Sequence, residues 1–294
     1  MTAIEKNPFR VLYVDITHRC NERCSFCYDW KNKDNKEDLS IEYWKEVCKR
    51  LPNRTMFRIL GGEPTLHPQF FEFLEIAHKY GHITTVSSNG IKFRDEDFVK
   101  KMVKYKTIFN LSMDGGLLRD DVYEYIVGRN GMIEEKIEAL ELLTKYQPKN
   151  LSISSIIIKD YNEDIIKNMF DVQKKYPVVN WIKFRSIGKV GRFIDSKPYT
   201  TSEFKKELEK VLTKEEVYSN PVKFSKKEYQ KCRDCCYHFT IPEKNVFVSF
   251  VEFASTNATK CWRRGKLIEN KFEVKPFFDY LVKTSGQFNL EKEN

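Results

Sequence analysis

No stretch of this 294-residue chain is apolar over the roughly 18 residues needed to cross a bilayer. Met1–Arg10 lacks the apolar core of a secretory signal. The expectation is therefore a soluble, cytoplasmic protein with no membrane partner. With 41% hydrophobic and 32% charged residues the composition also excludes a disordered chain. The net charge of +9 is not packed into a tail, as a nucleic-acid arm would require. No RNA-binding module is recognisable, so nucleic acid is not an expected partner. The positive balance favours an anionic partner such as an acidic peptide. No internal repeat is evident beyond a strand–helix unit.

Cysteine is present, and clustered. Of eight cysteines, Cys20, Cys24 and Cys27 form one group and Cys232, Cys235, Cys236 and Cys261 a second. In a reducing compartment disulfides are rare, and grouped thiols more often hold metal. Cys48 stands apart. It shares helical spacing with Ile41, Trp44 and Leu51, which predicts a buried apolar role.

Apolar, β-rich runs (Arg10–Ile16, Met56–Leu60, Ile83–Ser87, Thr107–Met113, Leu151–Ile158, Trp181–Ile187) alternate with helical patterns. The helical patterns fall near Ser40–Leu51, Pro68–Tyr80, Asp95–Tyr105, Met132–Tyr146 and Asn162–Tyr176. Six strands with intervening helices predict an α/β fold, a partial (β/α)6 TIM-type barrel. After Thr200 a helix near Ser202–Leu212, the second cysteine group and a short hairpin (Phe239–Ile241, Val246–Val251) predict a small, cysteine-rich α+β domain over 201–294, appended to a barrel over 1–200. In such sheets ligands bind at the carboxyl ends of the strands. The polar and glycine-rich segments fall there: His18–Trp30, Gly61–Pro64, Ser87–Gly90, Ser112–Gly115 and Arg185–Arg192.

Cys20-x3-Cys24-x2-Cys27 follows the first strand. Three thiolates leave one vertex of a [4Fe–4S] cluster open for a ligand. The rival is a zinc site completed by His18. The motif, with Phe26 before the third cysteine and Gly61-Gly62-Glu63-Pro64 after the second strand, resembles that of radical SAM enzymes. The resemblance runs over about Val11 to Arg192. It implies that Cys20, Cys24 and Cys27 ligate three irons, while the fourth iron binds S-adenosylmethionine (SAM). One-electron reduction, by a donor such as flavodoxin or ferredoxin, would then yield methionine and a 5′-deoxyadenosyl radical that abstracts hydrogen from substrate. It further implies that Glu63 and the Gly61–Pro64 backbone meet the methionine amine. Ser88 and Asn89 would contact methionine or ribose, Ser112 and Asn162 ribose, and Arg185 the methionine carboxylate. Phe26 and Val190 would line adenine, and Asp114 would reach substrate. Local alternatives stay open: Asn162 as a helix N-cap, Arg185 in a structural ion pair, Asp114 and Ser88–Gly90 as turn residues.

Cys232, Cys235, Cys236 and Cys261 resemble the shortened auxiliary-cluster extension called twitch, which has half the cysteines of the longer SPASM form. That implies one auxiliary [4Fe–4S] cluster, with four-thiolate zinc as the rival. The family's hairpin cysteine is absent from Val246–Ser249. The expected function is net oxidation or bond formation on a ribosomal peptide. The alternatives are a small-molecule sugar or natural-product precursor as substrate and, in another class, a non-catalytic metal-binding scaffold.

Overall fold

Ser40 accepts a hydrogen bond from the Tyr43 amide and so opens the first helix, α1 (Ile41–Arg50), as its sequence predicts. In the computed structural model, residues 11–27, 38–51, 54–187, 198–218 and 236–251 are described. The strands are β1 (Val11–Asp15), β2 (Met56–Leu60), β3 (Ile83–Ser88), β4 (Ile108–Ser112), β5 (Leu151–Ile157) and β6 (Val179–Ser186), then β7 (Cys236–Ile241) and β8 (Val246–Val251). Between them lie α2 (Phe70–Lys79), α3 (Glu96–Met102), α4 (Asp120–Val127), α5 (Met132–Tyr146) and α6 (Asp164–Lys175), followed by α7 (Thr201–Leu208) and α8 (Lys214–Tyr218). The eight strands form one sheet in the order β1-β2-β3-β4-β5-β6-β8-β7. All neighbours are parallel except β8 and β7. The expected parallel α/β sheet of a partial barrel is thus present.

Alternation along each strand sends Phe57, Ile59, Val86, Phe109, Leu111, Ile153, Ile182 and Phe184 outward, where helices cover them. Each such side chain stabilises the fold by about 1.5–3 kcal/mol when removed from water. Trp44 on α1 meets Phe57 edge-on at 4.5 Å and donates its indole N–H to the Phe73 carbonyl. Cys48 is buried in this layer, as its spacing predicts. Gly81 follows α2 with φ 75°, a left-handed turn that favours glycine.

Two features depart from expectation. Helices α4 and α8 are absent from the sequence reading, both being too short for a clear period. The hairpin of β7 and β8 does not stand apart from the barrel strands: β8 pairs parallel with β6, from Trp181 opposite Phe247 to Arg185 opposite Val251. Helix α7 enters through a Thr200–Glu203 capping box and stacks Phe204 on Phe250, ring centroids 4.0 Å apart. That buried aromatic pair holds the added strand in the sheet.

Candidate active site

The loop after β1 carries Cys20, Cys24 and Cys27, all half-buried. It is fixed from three sides. Thr17 and Arg19 bind the carboxylate of Asp38, Thr17 by donating at 2.6 Å and Arg19 by an ion pair at 3.0 Å. The amides of Arg23 and Ser25 donate to the carbonyls of Val127 and Ile126 at the end of α4. The amides of Gly62 and Glu63 donate to the carbonyls of Thr17 and Arg19 at 2.8 and 2.7 Å. The last contact requires glycine. A Cβ on Gly61 would sit 2.2 Å from the Thr17 carbonyl oxygen, and one on Gly62 2.3 Å from that of Arg19. Two rim loops from adjacent strands are thereby laid backbone to backbone.

Glu63 is 2% exposed, and its carboxylate is fully engaged. It accepts from the Thr65 amide and hydroxyl, the Ser88 hydroxyl and the Asn89 amide. The first of these caps the short turn at Pro64–Leu66. The Asn89 side chain donates to Asn21 of the cysteine loop at 2.7 Å. Gly61, Gly62, Glu63, Pro64, Ser88 and Asn89 therefore form one connected rim, tied to the loop that bears the thiols. Burial raises the Glu63 carboxyl despite these donors.

The other predicted residues lie around this rim. Ser112 ends β4, half-buried on its inward face, in register with Ser154. Asp114 is buried just beyond, accepts from the Ile156 amide at 2.9 Å, and has its pKa raised by burial. Arg185, inward on β6, is close enough to act on the Asp114 charge. Asn162 turns its amide inward, accepting from the Ile158 N–H and donating to the Ile156 carbonyl. It staples the end of β5 rather than capping α6, whose N-cap is Glu163. Phe26 packs with Cys24 against Val122, Tyr123 and Ile126 of α4. Val190, Cys232, Cys235 and Cys261 lie outside the described residues, and Cys236 opens β7 with only its backbone described.

Two charged residues here escaped the sequence reading. Glu22, between the first two cysteines, is buried and accepts from the Cys24 thiol at 3.5 Å. Burial pushes its carboxyl up to about 6, while Lys136 pulls it back. Lys136 on α5 is 2% exposed and donates to the Asn89 carbonyl. Burial lowers its pKa, and Glu22, Asp114 and Glu63 oppose that shift. The signal for Lys136 was legible: it shares one helical stripe with buried Met132, Ala139, Leu140 and Leu143. Three buried carboxylates around one ammonium make a site that favours a cationic ligand.

Among the described residues no three Cys, His, Asp or Glu side chains converge as the shell of a single ion. Three half-buried thiols on one rim loop are the donor set of an iron–sulfur cluster with one open vertex. A parallel partial barrel with such a loop at its carboxyl rim defines an iron–sulfur enzyme scaffold. The chain belongs to the radical SAM superfamily, whose family model matches residues 14–172. It is 28% identical over 210 residues to the GTP 3′,8-cyclase of Clostridium botulinum (strain Okra / Type B1), covering 68% of this chain and 64% of that protein. It is also 28% identical over 161 residues to the sporulation killing factor maturation protein SkfB of Bacillus subtilis (strain 168), covering 54% of this chain and 37% of that protein. The fold is similar to that of SuiB from Streptococcus suis, solved bound to S-adenosylmethionine. That match has a TM-score of 0.57 and 18% identity, over 70% of this chain and 47% of the other. The chain thus matches under two thirds of the length of these relatives.

Proposed function

We infer that this chain cleaves SAM reductively and uses the resulting radical to abstract hydrogen from a ribosomal peptide, in a net oxidation or bond formation. The observation that carries the reading is the backbone docking of Gly62 and Glu63 onto the three-thiol loop. It supports reading the Gly61–Pro64 backbone as the amine cradle, tied to the loop of Cys20, Cys24 and Cys27. Those thiolates would hold a [4Fe–4S] cluster, which would supply the one-electron chemistry for reductive cleavage of SAM.

The chain's own residues bind and orient. Glu63 is saturated by Thr65, Ser88 and Asn89, so its work is to hold the rim rigid, and rim carbonyls take the methionine amine. Glu22 supplies buried negative charge for the amine and sulfonium. Arg185 takes the methionine carboxylate, Ser112 the ribose, and Phe26 with Val190 the adenine. Asn162 acts through the β5 end it staples. Asp114, at the substrate side, is the group placed to hold a proton.

Residues 201–294, joined to the barrel sheet through β8, carry an auxiliary extension of twitch or SPASM type, with Cys232, Cys235, Cys236 and Cys261 holding a second [4Fe–4S] cluster. A flavodoxin or ferredoxin supplies electrons in the cytoplasm. The likeness to SkfB and the +9 charge support a peptide substrate. The likeness to the cyclase, over a longer segment, supports a small-molecule substrate as the second reading.

The test is anaerobic purification with iron and sulfide analysis, then incubation with SAM and dithionite. About eight irons per chain and release of 5′-deoxyadenosine are expected. About four irons would remove the auxiliary cluster, and absence of the nucleoside would overturn the reading.

A further inference from the structure

Helices α1, α2, α3, α5 and α6 return the chain from the carboxyl rim to the opposite end of the sheet, because the strands they join are parallel. Charge follows that direction. The first turns hold acids, such as Glu42 on α1, Glu96 and Asp97 on α3 and Asp164 on α6. The last turns hold cations, such as Lys49 on α1, Lys79 on α2, Lys101 on α3 and Lys175 on α6. Favourable interaction with the helix dipoles accounts for this much. It does not account for the turns beyond. Arg54, Lys104, Lys106 and Lys149 lie past the helix ends, in the turns that lead into β2, β4 and β5, and all four are exposed.

These turns form one continuous face. The Arg54 amide donates to the Gly81 carbonyl at 3.1 Å, Thr84 and Thr107 share a hydrogen bond at 2.6 Å, and the Asn180 side chain donates to the Lys149 carbonyl at 3.1 Å. The Gln173 side chain reaches the Lys244 carbonyl, in the turn before β8, at 3.4 Å. Among the described residues of the turns 51–55, 80–82, 103–107, 147–150, 176–178 and 242–245, Glu243 is the one acid. Among the described residues Arg54, Lys79, Lys104, Lys106 and Lys149 form no ion pair. The end of the barrel opposite the thiol loop is thus basic, whereas the helix starts around the mouth are acidic. The exposed large hydrophobic side chains among the described residues are Leu118, Tyr125 and Tyr218, and none lies in these turns. The face therefore offers no stacking platform for single-stranded RNA and no apolar wedge for a membrane. Apart from Arg54 its turn cations are lysines, which suit diffuse attraction to carboxylates rather than the bidentate phosphate contacts of arginine.

We propose that this basic face docks an acidic segment of the substrate polypeptide, while the segment to be modified enters the mouth. This rests on the reading of the chain as an enzyme of ribosomal peptides, and adds where the peptide is held and by what charge. The eight residues of β6 span about 26 Å at the rise of a strand, which separates the face from the rim. About ten extended residues cover that distance with room to turn. The acidic segment therefore stands about ten or more residues along the chain from the residue modified. Acids at the helix starts repel the same segment from the mouth, so the two ends of the barrel sort the two parts of the substrate. An acidic electron carrier on this face would stand a barrel's depth from the thiol loop, so the carrier is not the occupant.

The reconstituted full-length enzyme, with saturating SAM, is titrated against a fluorescein-labelled glutamate decamer and binding is read by anisotropy. The decamer should bind, and raising salt from about 50 to about 300 mM should weaken it. The double variants Lys104→Glu/Lys149→Glu and Lys79→Glu/Lys106→Glu should each weaken binding at least tenfold. Lys92→Glu/Lys167→Glu, an equal charge change on exposed lysines of the rim end, should stay within twofold of wild type. Two independent double variants keep the test standing if one fails to fold. Equal losses in the rim and face variants, displacement of the decamer by SAM, or no binding would overturn the proposal. Tighter binding of a short RNA duplex than of the decamer would overturn it too. Release of 5′-deoxyadenosine by the wild-type enzyme is scored separately, so loss of the radical SAM reading and loss of the docking face are distinguishable.

Discussion

Lys136 donates its ammonium to the main-chain carbonyl of Asn89, joining the buried stripe of α5 to the turn that ends β3. The same turn holds Glu63 and, through the Asn89 side chain, reaches Asn21 between the first two cysteines. One lysine on a covering helix is therefore part of the frame that sets the thiol loop against the rim. Its charge stands among three buried carboxylates, so neither the lysine nor the acids are stable alone.

Lys136→Met should therefore be among the more damaging single changes in the barrel. It leaves Glu22, Glu63 and Asp114 without their buried cation, which costs about 3–5 kcal/mol when one partner of a buried pair is removed. Urea unfolding of the apo chain measures this. A loss below about 1 kcal/mol would mean that the acids are neutral in the fold and the lysine idle.

Gly62→Ala tests the docking of the two rim loops. The new Cβ meets main-chain oxygens of Arg19 and His18 at 2.3 and 2.6 Å, and neither oxygen belongs to a flexible side chain. The thiol loop must shift, so iron incorporation on reconstitution should fall by more than half. Gly131→Ala is the contrast. Nothing lies within 4 Å of its Cβ, but its φ is +68°, so it should lose about 1–2 kcal/mol of stability and keep its iron. Equal iron content in both variants would refute the docking argument.

These residues also show what sequence makes legible. The six barrel strands and the positions of Gly61–Pro64, Ser88–Asn89 and Ser112 were readable because local alternation and glycine turns are short-range signals. The burial of Lys136 was not taken from its stripe, because a lysine ordinarily reads as a solvated face. Glu22 was hidden by the cysteines on either side. The pairing of β8 with β6 joins Trp181 to Phe247, and no local pattern encodes a partner so far along the chain.

Asp114 gives a pH dependence with a definite sign. Its folded-state pKa is raised by burial, so its contribution to stability is full below the ordinary carboxylate range and is lost as pH rises through the folded value. Asp114→Asn keeps an acceptor for the Ile156 amide and escapes that loss. Relative to wild type the variant should gain stability as pH rises above the ordinary carboxylate range, seen as a rising difference in urea midpoint. A falling difference would show that Lys136 and Arg185 outweigh burial and hold Asp114 charged.

The four barrel cysteines separate ligand from core. Cys20, Cys24 and Cys27 lie half-buried on the rim loop, whereas Cys48 is buried on α1, and burial raises its thiol pKa beyond the range in which it would ionise. A thiol that stays protonated is a poor metal ligand, and Cys48 instead fills space beside Trp44 while its carbonyl accepts from the His82 ring at 2.7 Å. Alanine at Cys20, Cys24 or Cys27 should each remove about four irons per chain and abolish release of 5′-deoxyadenosine from SAM. Cys48→Ala should keep full iron and full SAM cleavage, and lower stability by about 1 kcal/mol for the lost buried sulfur. Iron lost equally from all four variants would mean that the loss reports unfolding rather than ligation, and the assignment of the rim trio would fall with it.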